Sequence, residues 1–143
     1  MPYRYLGDIA IADIAFEAQA NTREALFVEA GNALTNVMVE DLQSIHPVEH
    51  RNFHIKARDL ERLLFEFLQV LIFYKDAEQL LLTVPKVSIT EKDDNLFLNA
   101  EAAGERINPE THELNADVKA VTLHRFHVRH DPEGWKTTVV LDV

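Results

Sequence analysis

The sequence closes on two neighbouring carboxylates. Asp142 stands next to Val143, the last residue, whose main-chain carboxylate adds a second negative group. The apolar run Val139-Val140-Leu141 before them predicts an ordered strand. Carboxylates at the end of an ordered strand must be solvated, paired or bound to a cation, and oxygen ligands suit hard ions such as calcium or magnesium. The residue types therefore allow a cation site here, although many proteins end near an aspartate that binds nothing.

A similar carboxylate occurs near the other end of the chain. Asp13 stands at the head of an apolar strand pattern and follows the small apolar run 9–12. Taken alone, it is better explained as a strand-start or turn residue than as a ligand. Asp8, directly after Gly7, is a second candidate for which a turn is again the simpler role.

Seven histidines form a second group of possible ligands. Three of them, His46, His50 and His54, are spaced by four, but Pro47 would break any helix that aligned them, so we expect solvated side chains. His124 and His127 lie three apart on a predicted strand, where their side chains would point to opposite faces. The remaining ones are His130, in a predicted turn, and His112, which lies in a polar connection and is either a local anchor or a site residue.

The standard catalytic signatures are absent from the sequence. It contains no Gly-rich phosphate loop, no His-Glu-x-x-His and no Gly-x-Ser-x-Gly. The hydroxyl residues of the predicted C-terminal hairpin, Thr122, Thr137 and Thr138, have no His or Asp partner at a recognisable local spacing. An enzyme with dispersed residues remains open at this point, because triads assemble in space and not in sequence.

Two helices and several strands must position these residues. Asn21 as N-cap and Glu24 three residues later predict a helix over 22–38, and Asp59 caps a second helix over 60–74. The second helix is apolar around most of its circumference, which is typical of a central element. Alternating patterns predict strands over 13–18, 52–57, 80–90, 96–103, 118–129 and 135–141.

The order of these elements predicts an α+β fold. Two helices pack on a mixed or antiparallel β-sheet, and the β-rich C-terminal half ends in a hairpin whose turn lies at 130–134. A further turn is expected at Asp94-Asn95. The length of 143 residues fits one domain, 1–143.

Composition limits the possible environments and partners. There is no cysteine, which excludes disulfides and thiolate sites, and the longest apolar stretch, 63–74, is too short to span a bilayer. We expect a cytoplasmic protein. The formal net charge is −10, with no run of Lys and Arg, so strong binding to nucleic acid is not expected. Such a charge suits a cation, a basic protein partner or simply solubility.

Four segments together resemble the archease family, in the right order and over essentially the whole chain. They are "IADIAFEAQANTREALFVEAGNALTNVM", "DLERLLFEFLQVLIFYKDAE", "VKAVTLHRFHV" and the closing "GWKTTVVLDV". The third is similar to the family's Val-Lys-Ala-Val-Thr strand, and the fourth to its Trp-containing last strand ending in Asp plus an aliphatic residue. One position departs from the pattern: where the family carries His-Thr-Ala-Asp, this chain has Ala10-Ile11-Ala12-Asp13, so the histidine is missing.

The resemblance implies a metal site and a partner. Archeases bind a divalent ion, seen as calcium, through residues that correspond to Asp13, Asp142 and Val143. The family activates the RtcB-type tRNA-splicing ligase by promoting guanylylation of the ligase and multiple turnover in RNA ligation. The resemblance thus implies a metal-binding accessory protein, not an enzyme.

Three other functions remain open at this stage. The first is a chaperone-like specificity partner of a tRNA cytosine methyltransferase, with a structural metal. The second is a metal-dependent hydrolase acting alone, which would need more polar ligands than Asp13 and Asp142. The third is a direct RNA binder, which the charge argues against.

Overall fold

The computed structural model describes residues 2–7 and 13–143, and in them the predicted α+β class is confirmed. The helices are α1 (Arg23–Met38) and α2 (Leu60–Glu78), with a short 3-10 helix at Leu42–Ser44. The strands are β1 (Tyr3–Leu6), β2 (Asp13–Ala20), β3 (Glu49–Ala57), β4 (Leu80–Thr83), β5 (Val87–Lys92), β6 (Asn95–Arg106), β7 (Ala120–Val121), β8 (His127–Asp131) and β9 (Gly134–Asp142).

The first sheet is built around β9, the last strand. Its order is β1-β2-β9-β7, and β8 also pairs with β9, beyond the end of β7. All these pairings are antiparallel. The predicted C-terminal hairpin is confirmed as β8–β9, which closes at Asp131 opposite Gly134.

The second sheet is built around β6 and corrects one predicted strand. Its order is β3-β6-β4, with β5 also paired to β6, and all pairings are antiparallel. The single strand predicted over 80–90 is two strands, β4 and β5, because Pro85 lies between them and cannot donate to a ladder. The β5–β6 turn falls on Asp93-Asp94, both with positive φ, and not on Asp94-Asn95.

Both helices contact both sheets, and one cluster of buried side chains contains residues from all four. Phe67 of α2 lies near its middle, with ring centroids 5.7 Å from Phe27 of α1 and 6.1 Å from Phe53 of β3. The prediction that the second helix is central is confirmed by these contacts. No helix in the described ranges is long and apolar enough to cross a membrane.

The helix ends agree in part with the predictions. Asp59 caps α2 as predicted, since its carboxylate accepts from the Arg62 N–H at 2.8 Å. α2 continues to Glu78, four residues beyond the predicted end, and closes at Gln79 in the left-handed conformation. The predicted Asn21 cap is wrong by one residue, because the Thr22 hydroxyl accepts from the Ala25 N–H.

The predicted strand over 118–129 is wrong in its middle. β7 contains two residues only, and the chain leaves the ladder in a turn over 123–126 before β8 begins. Arg125 has φ +56° in this turn, and the ring of Phe126 packs edge-to-face on Phe65 of α2 at 6.0 Å. Burial of Phe126 against the helix thus competes with strand continuation. The expected placement of His124 and His127 on opposite faces of one strand is lost with the strand.

A glycine in β6 permits the close approach of β4. A Cβ added to Gly104 would lie 1.8 Å from the Leu81 carbonyl oxygen, a backbone atom that cannot move without breaking the β4–β6 pairing. We expect Gly104→Ala to lower the free energy of unfolding by roughly 3 kcal/mol or more, since overpacking against fixed backbone is among the costliest changes. Urea unfolding would measure it.

Gly7→Ala is the matched control, because among the described residues a Cβ there meets nothing within 4 Å. A Gly104→Ala variant as stable as Gly7→Ala would contradict this account of the β4–β6 contact.

Candidate metal centre

Asp13 and Asp142 face each other across two neighbouring strands. Asp13 is the first residue of β2, Asp142 is the last residue of β9, and the two are directly opposed in the antiparallel register. Directly opposed residues share a face and have Cβ atoms about 4.5–5.5 Å apart. Both residues are partly exposed. The structure thus brings together two of the three residues that the resemblance implies as ligands, 129 positions apart in the sequence.

Burial of the opposite face fixes this register. Phe16 pairs with Val139 and Ile14 with Leu141, and these side chains belong to or pack against the core. Because side chains alternate along a strand, a slip of one residue would move Phe16 to the face that carries Asp13 and would separate the two carboxylates. The same alternation that buries Phe16 therefore places Asp13 opposite Asp142.

Other chain segments hold Asp142 from the side away from Asp13. Ala120 of β7 is opposed to Asp142, and the Lys119 N–H donates to the Asp142 carbonyl oxygen at 2.8 Å. Val143 follows directly and its side chain packs against the core. Asp142 thus lies between two neighbouring strands, and Val143 follows it directly in the chain.

The two carboxylates have no cationic partner in the described part of the chain. No lysine or arginine forms an ion pair with Asp13 or Asp142 there. Within residues 2–7 and 13–143, no group of three or more His, Cys, Asp and Glu side chains could hold a metal ion. Val143, the third residue that the resemblance implies as a ligand, follows Asp142 directly. Asp8 lies outside the described residues.

His112 is a buried anchor, which settles the alternative left open by the sequence. Its ring Nδ1 accepts from the Asn108 N–H at 2.9 Å, and its Nε2 lies 2.8 Å from the Glu105 carboxylate. Glu105 also accepts from the backbone N–H of His46 at 3.0 Å. The hydrogen bond from His46, together with that from His112, lowers the pKa of Glu105 below its ordinary value. Both nitrogens of His112 are used in holding the loop after β6.

The other histidines do not approach the carboxylates either. The side chains of His46, His50 and His54 are exposed, as predicted, and His54 Nδ1 lies 2.5 Å from Asn99 Oδ1. His127 Nδ1 donates to the Arg125 carbonyl oxygen at 3.0 Å, within the turn between β7 and β8. His130 stacks on Trp135 with ring centroids 4.2 Å apart.

The fold and this acidic strand end together define a class: a small two-helix, two-sheet protein with paired carboxylates at the end of its last strand. The sequence profile of the Archease protein family matches residues 3–143. The chain belongs to the archease family.

Individual relatives agree with this assignment. The chain is 35% identical to the protein archease of Thermococcus kodakarensis over 133 residues, which is 92% of this chain and 93% of the relative. It is 37% identical to that of Methanothermobacter thermautotrophicus over 132 residues, again 92% and 93%.

Two solved structures share the fold. The solution structure of Methanobacterium thermoautotrophicum protein 1598 is 34% identical, with a TM-score of 0.85 over 99% of each chain. The crystal structure of an archease from Thermotoga maritima, described as a possible chaperone, is 22% identical, with a TM-score of 0.65 over 96% of each chain.

The facing carboxylates should oppose folding when no cation is bound. Like charges directly opposed across strands are destabilising, so Asp13→Asn should raise the free energy of unfolding of the metal-free protein by about 0.2–1 kcal/mol. Screening should shrink this gain as salt rises to about 1 M. Urea unfolding in the presence of a chelator, at two salt concentrations, measures both effects.

Glu17→Gln serves as the control on the same face of β2. Glu17 is ion-paired with Arg4, at 3.4 Å between Arg4 Nε and Glu17 Oε1, so removing its charge should bring no gain. Equal behaviour of the two variants would rule out a specific repulsion at Asp13.

Glu105 should contribute to the loss of stability in acid. The pKa of Glu105 is lower in the folded protein than its ordinary value of 4.5, so in acid the unfolded chain binds more protons than the folded one. The stabilisation that Glu105 provides is therefore complete above the unfolded pKa and is lost as pH falls through the folded pKa. The difference in unfolding free energy between wild type and Glu105→Gln should therefore shrink between pH 6 and pH 3. Urea unfolding across this range measures it.

Glu110→Gln is the control, since Glu110 is an exposed carboxylate in the loop after β6. A wild-type to Glu105→Gln difference that stays constant with pH would contradict the role given to Glu105.

Proposed function

We propose that this chain is a metal-binding accessory protein that activates an RtcB-type tRNA-splicing ligase, promoting its guanylylation and multiple turnover. The observation that carries the proposal is the direct opposition of Asp13 and Asp142 across β2 and β9, beside Val143. Membership of the archease family supports it.

The donor set fits a hard divalent cation, of which calcium is our choice. Asp13 and Asp142 offer four carboxylate oxygens, and Val143 adds a main-chain oxygen. Calcium takes six to eight oxygen ligands in flexible geometry, which leaves positions for water or for groups of a partner. No thiolate is available, and no histidine lies near in the described residues, so the donors do not favour zinc or copper.

The position of the two carboxylates suits presentation to another molecule. Both residues are partly exposed at the end of the sheet, and the backbone on each side of Asp142 is held by β2 and β7. A bound divalent ion would supply positive charge for the phosphates of the ligase's nucleotide. The residues of this chain hold and orient that charge; they carry out no bond-making step.

The charge of the chain fits a protein partner better than RNA. The formal net charge is −10, whereas unaided binding to RNA needs a basic surface that releases counterions. An enzyme that handles tRNA carries such a basic surface, and an acidic protein is attracted to it. We therefore assign RNA contact to the ligase.

Two of the hydroxyl groups that the sequence singled out, those of Thr137 in β9 and Thr122 after β7, are used structurally, which agrees with an accessory role. The Thr137 side chain is fully buried, and its hydroxyl donates to the His127 carbonyl oxygen at 2.6 Å. The Thr122 hydroxyl accepts from the His124 N–H at 3.3 Å. Neither lies in hydrogen-bond contact with an acid–base pair of the kind a nucleophile needs.

A second candidate is a chaperone-like specificity partner of a tRNA cytosine methyltransferase, in which the metal is structural. The description of the Thermotoga maritima relative as a possible chaperone favours it. In that case, removal of the ion should lower the melting temperature strongly, and ligase turnover should not respond to the chain.

The decisive experiment combines metal binding and ligation. Calorimetric titration with calcium chloride should give binding to the wild type and none to Asp13→Asn or Asp142→Asn. In multiple-turnover RNA ligation by the cognate ligase, substoichiometric wild type should stimulate and both variants should not, because the ion's charge is missing. Glu17→Gln, which keeps both carboxylates, should behave as wild type.

Each part of the proposal can fail separately. If the wild type binds calcium but does not stimulate the ligase, the result would favour the methyltransferase as the partner. Undiminished stimulation by both aspartate variants would refute the metal-dependent mechanism.

A further inference from the structure

A buried lysine lies close to the segment that supports Asp142. Lys75 is in the last turn of α2, with 7% of its side chain exposed. Its Nζ donates to Asp117 Oδ1 at 2.6 Å, to the Val118 carbonyl oxygen at 2.7 Å and to Asp76 Oδ1 at 2.5 Å. Burial alone would lower the pKa of Lys75, but the hydrogen bonds that it donates to Asp117 and Asp76 outweigh this effect and raise the pKa. The lysine is therefore charged, and all three of its donors are used.

A second residue of α2 holds the other end of the same segment. Gln69 Oε1 accepts from the Val121 N–H at 2.9 Å. Positions 69 and 75 are about 9 Å apart along a helix axis, and three residues of extended chain span about 10 Å. The helix thus matches the length of chain between Val118 and Val121 and fixes it at both ends.

The segment 117–121 lies directly beside Asp142 in the sheet. Within residues 117–121, the Lys119 N–H donates to the Asp142 carbonyl oxygen, and Ala120 is opposed to Asp142 in the sheet. β7 has only two residues, whereas strands usually have five or six, so its ladder alone holds it weakly. Its attachment to α2 supplies the missing constraint.

The geometry points to Lys75 as a positioning residue of the Asp13–Asp142 site: by fixing the 117–121 segment against β9, it sets the position of Asp142 and Val143 for a cation. Gln69 acts with it at the other end of the segment. This inference rests on the metal binding proposed above. It adds two residues of α2, neither of which touches the ion.

A purely structural role would give a different result, and two isosteric variants separate the alternatives. Lys75→Met removes the ammonium, and Gln69→Met removes the acceptor of Val121 while leaving Lys75 in place. We call Lys75 and Gln69, which fix the two ends of the 117–121 segment, the clamp. If Lys75→Met does not fold, Gln69→Met tests the same clamp at its other end. Leu98→Ala is the control, since Leu98 is buried in β6 of the other sheet and its truncation lowers stability without touching the segment.

Calcium affinity is measured by calorimetry at a temperature where circular dichroism shows each variant folded. Mutation of residues that orient metal ligands typically lowers metal affinity by about 10–100-fold. We therefore expect Lys75→Met to lower the calcium affinity at least tenfold and Gln69→Met to lower it as well. Leu98→Ala should bind as wild type. In calcium-free protein, the amide resonances of Asp142 and Val143 should move in the two clamp variants and stay unmoved in Leu98→Ala.

The outcomes distinguish this inference from the proposed function. Wild type that binds no calcium would overturn the metal site and the role of Lys75 with it. A different result would overturn the role of Lys75 alone. In that case Asp13→Asn abolishes calcium binding, whereas both clamp variants bind calcium with wild-type affinity and their amide resonances do not move.

Discussion

The register between β2 and β9 is the constraint on which the rest of the molecule depends. Burying a side chain such as Phe16 stabilises the fold by about 1.5–3 kcal/mol, whereas opposed like charges cost about 0.2–1 kcal/mol. Several apolar pairs enforce this register, and a single carboxylate pair, Asp13 and Asp142, opposes it. The core therefore prevails, and it holds together two groups that would separate if the strands were free to slip.

β9 transmits this constraint through the first sheet, because it is paired along both edges. β2 covers one edge for eight residues, while β7 and β8 share the other, with the 123–126 turn between them. The side chains of Val139, Val140 and Leu141 are all fully buried. A continuous apolar run of this kind is typical of a strand buried on both faces. Asp142, the last residue of this strand, is held in place by pairing on both sides, to Asp13 and to Ala120.

Local signals in the sequence predicted some elements well and others poorly, for physical reasons. Asp59 and the apolar circumference of α2 located that helix, because capping and burial act within a few residues. The alternation from 118 to 129 could not reveal that Phe126 leaves the strand to pack on Phe65, 61 positions earlier in the chain. Residue types suggested two separate acidic positions; the family resemblance joined them, and only the register places Asp13 opposite Asp142.

Lys75 belongs to a class of residue that sequence patterns miss. At the end of an apolar helix, a lysine is expected to be solvated. Its partner Asp117, however, lies 42 positions further along the chain, and the two meet only once α2 has packed on the first sheet. Residues at a binding site are expected to break local rules, and the surrounding structure must offset the cost. Here a repulsive pair at a strand end is held from one side by the β2 register and from the other by a two-residue strand tied to α2. The positions of the two carboxylates thus depend on an eight-residue pairing with β2 and on a two-residue pairing with β7, which α2 reinforces through Lys75 and Gln69.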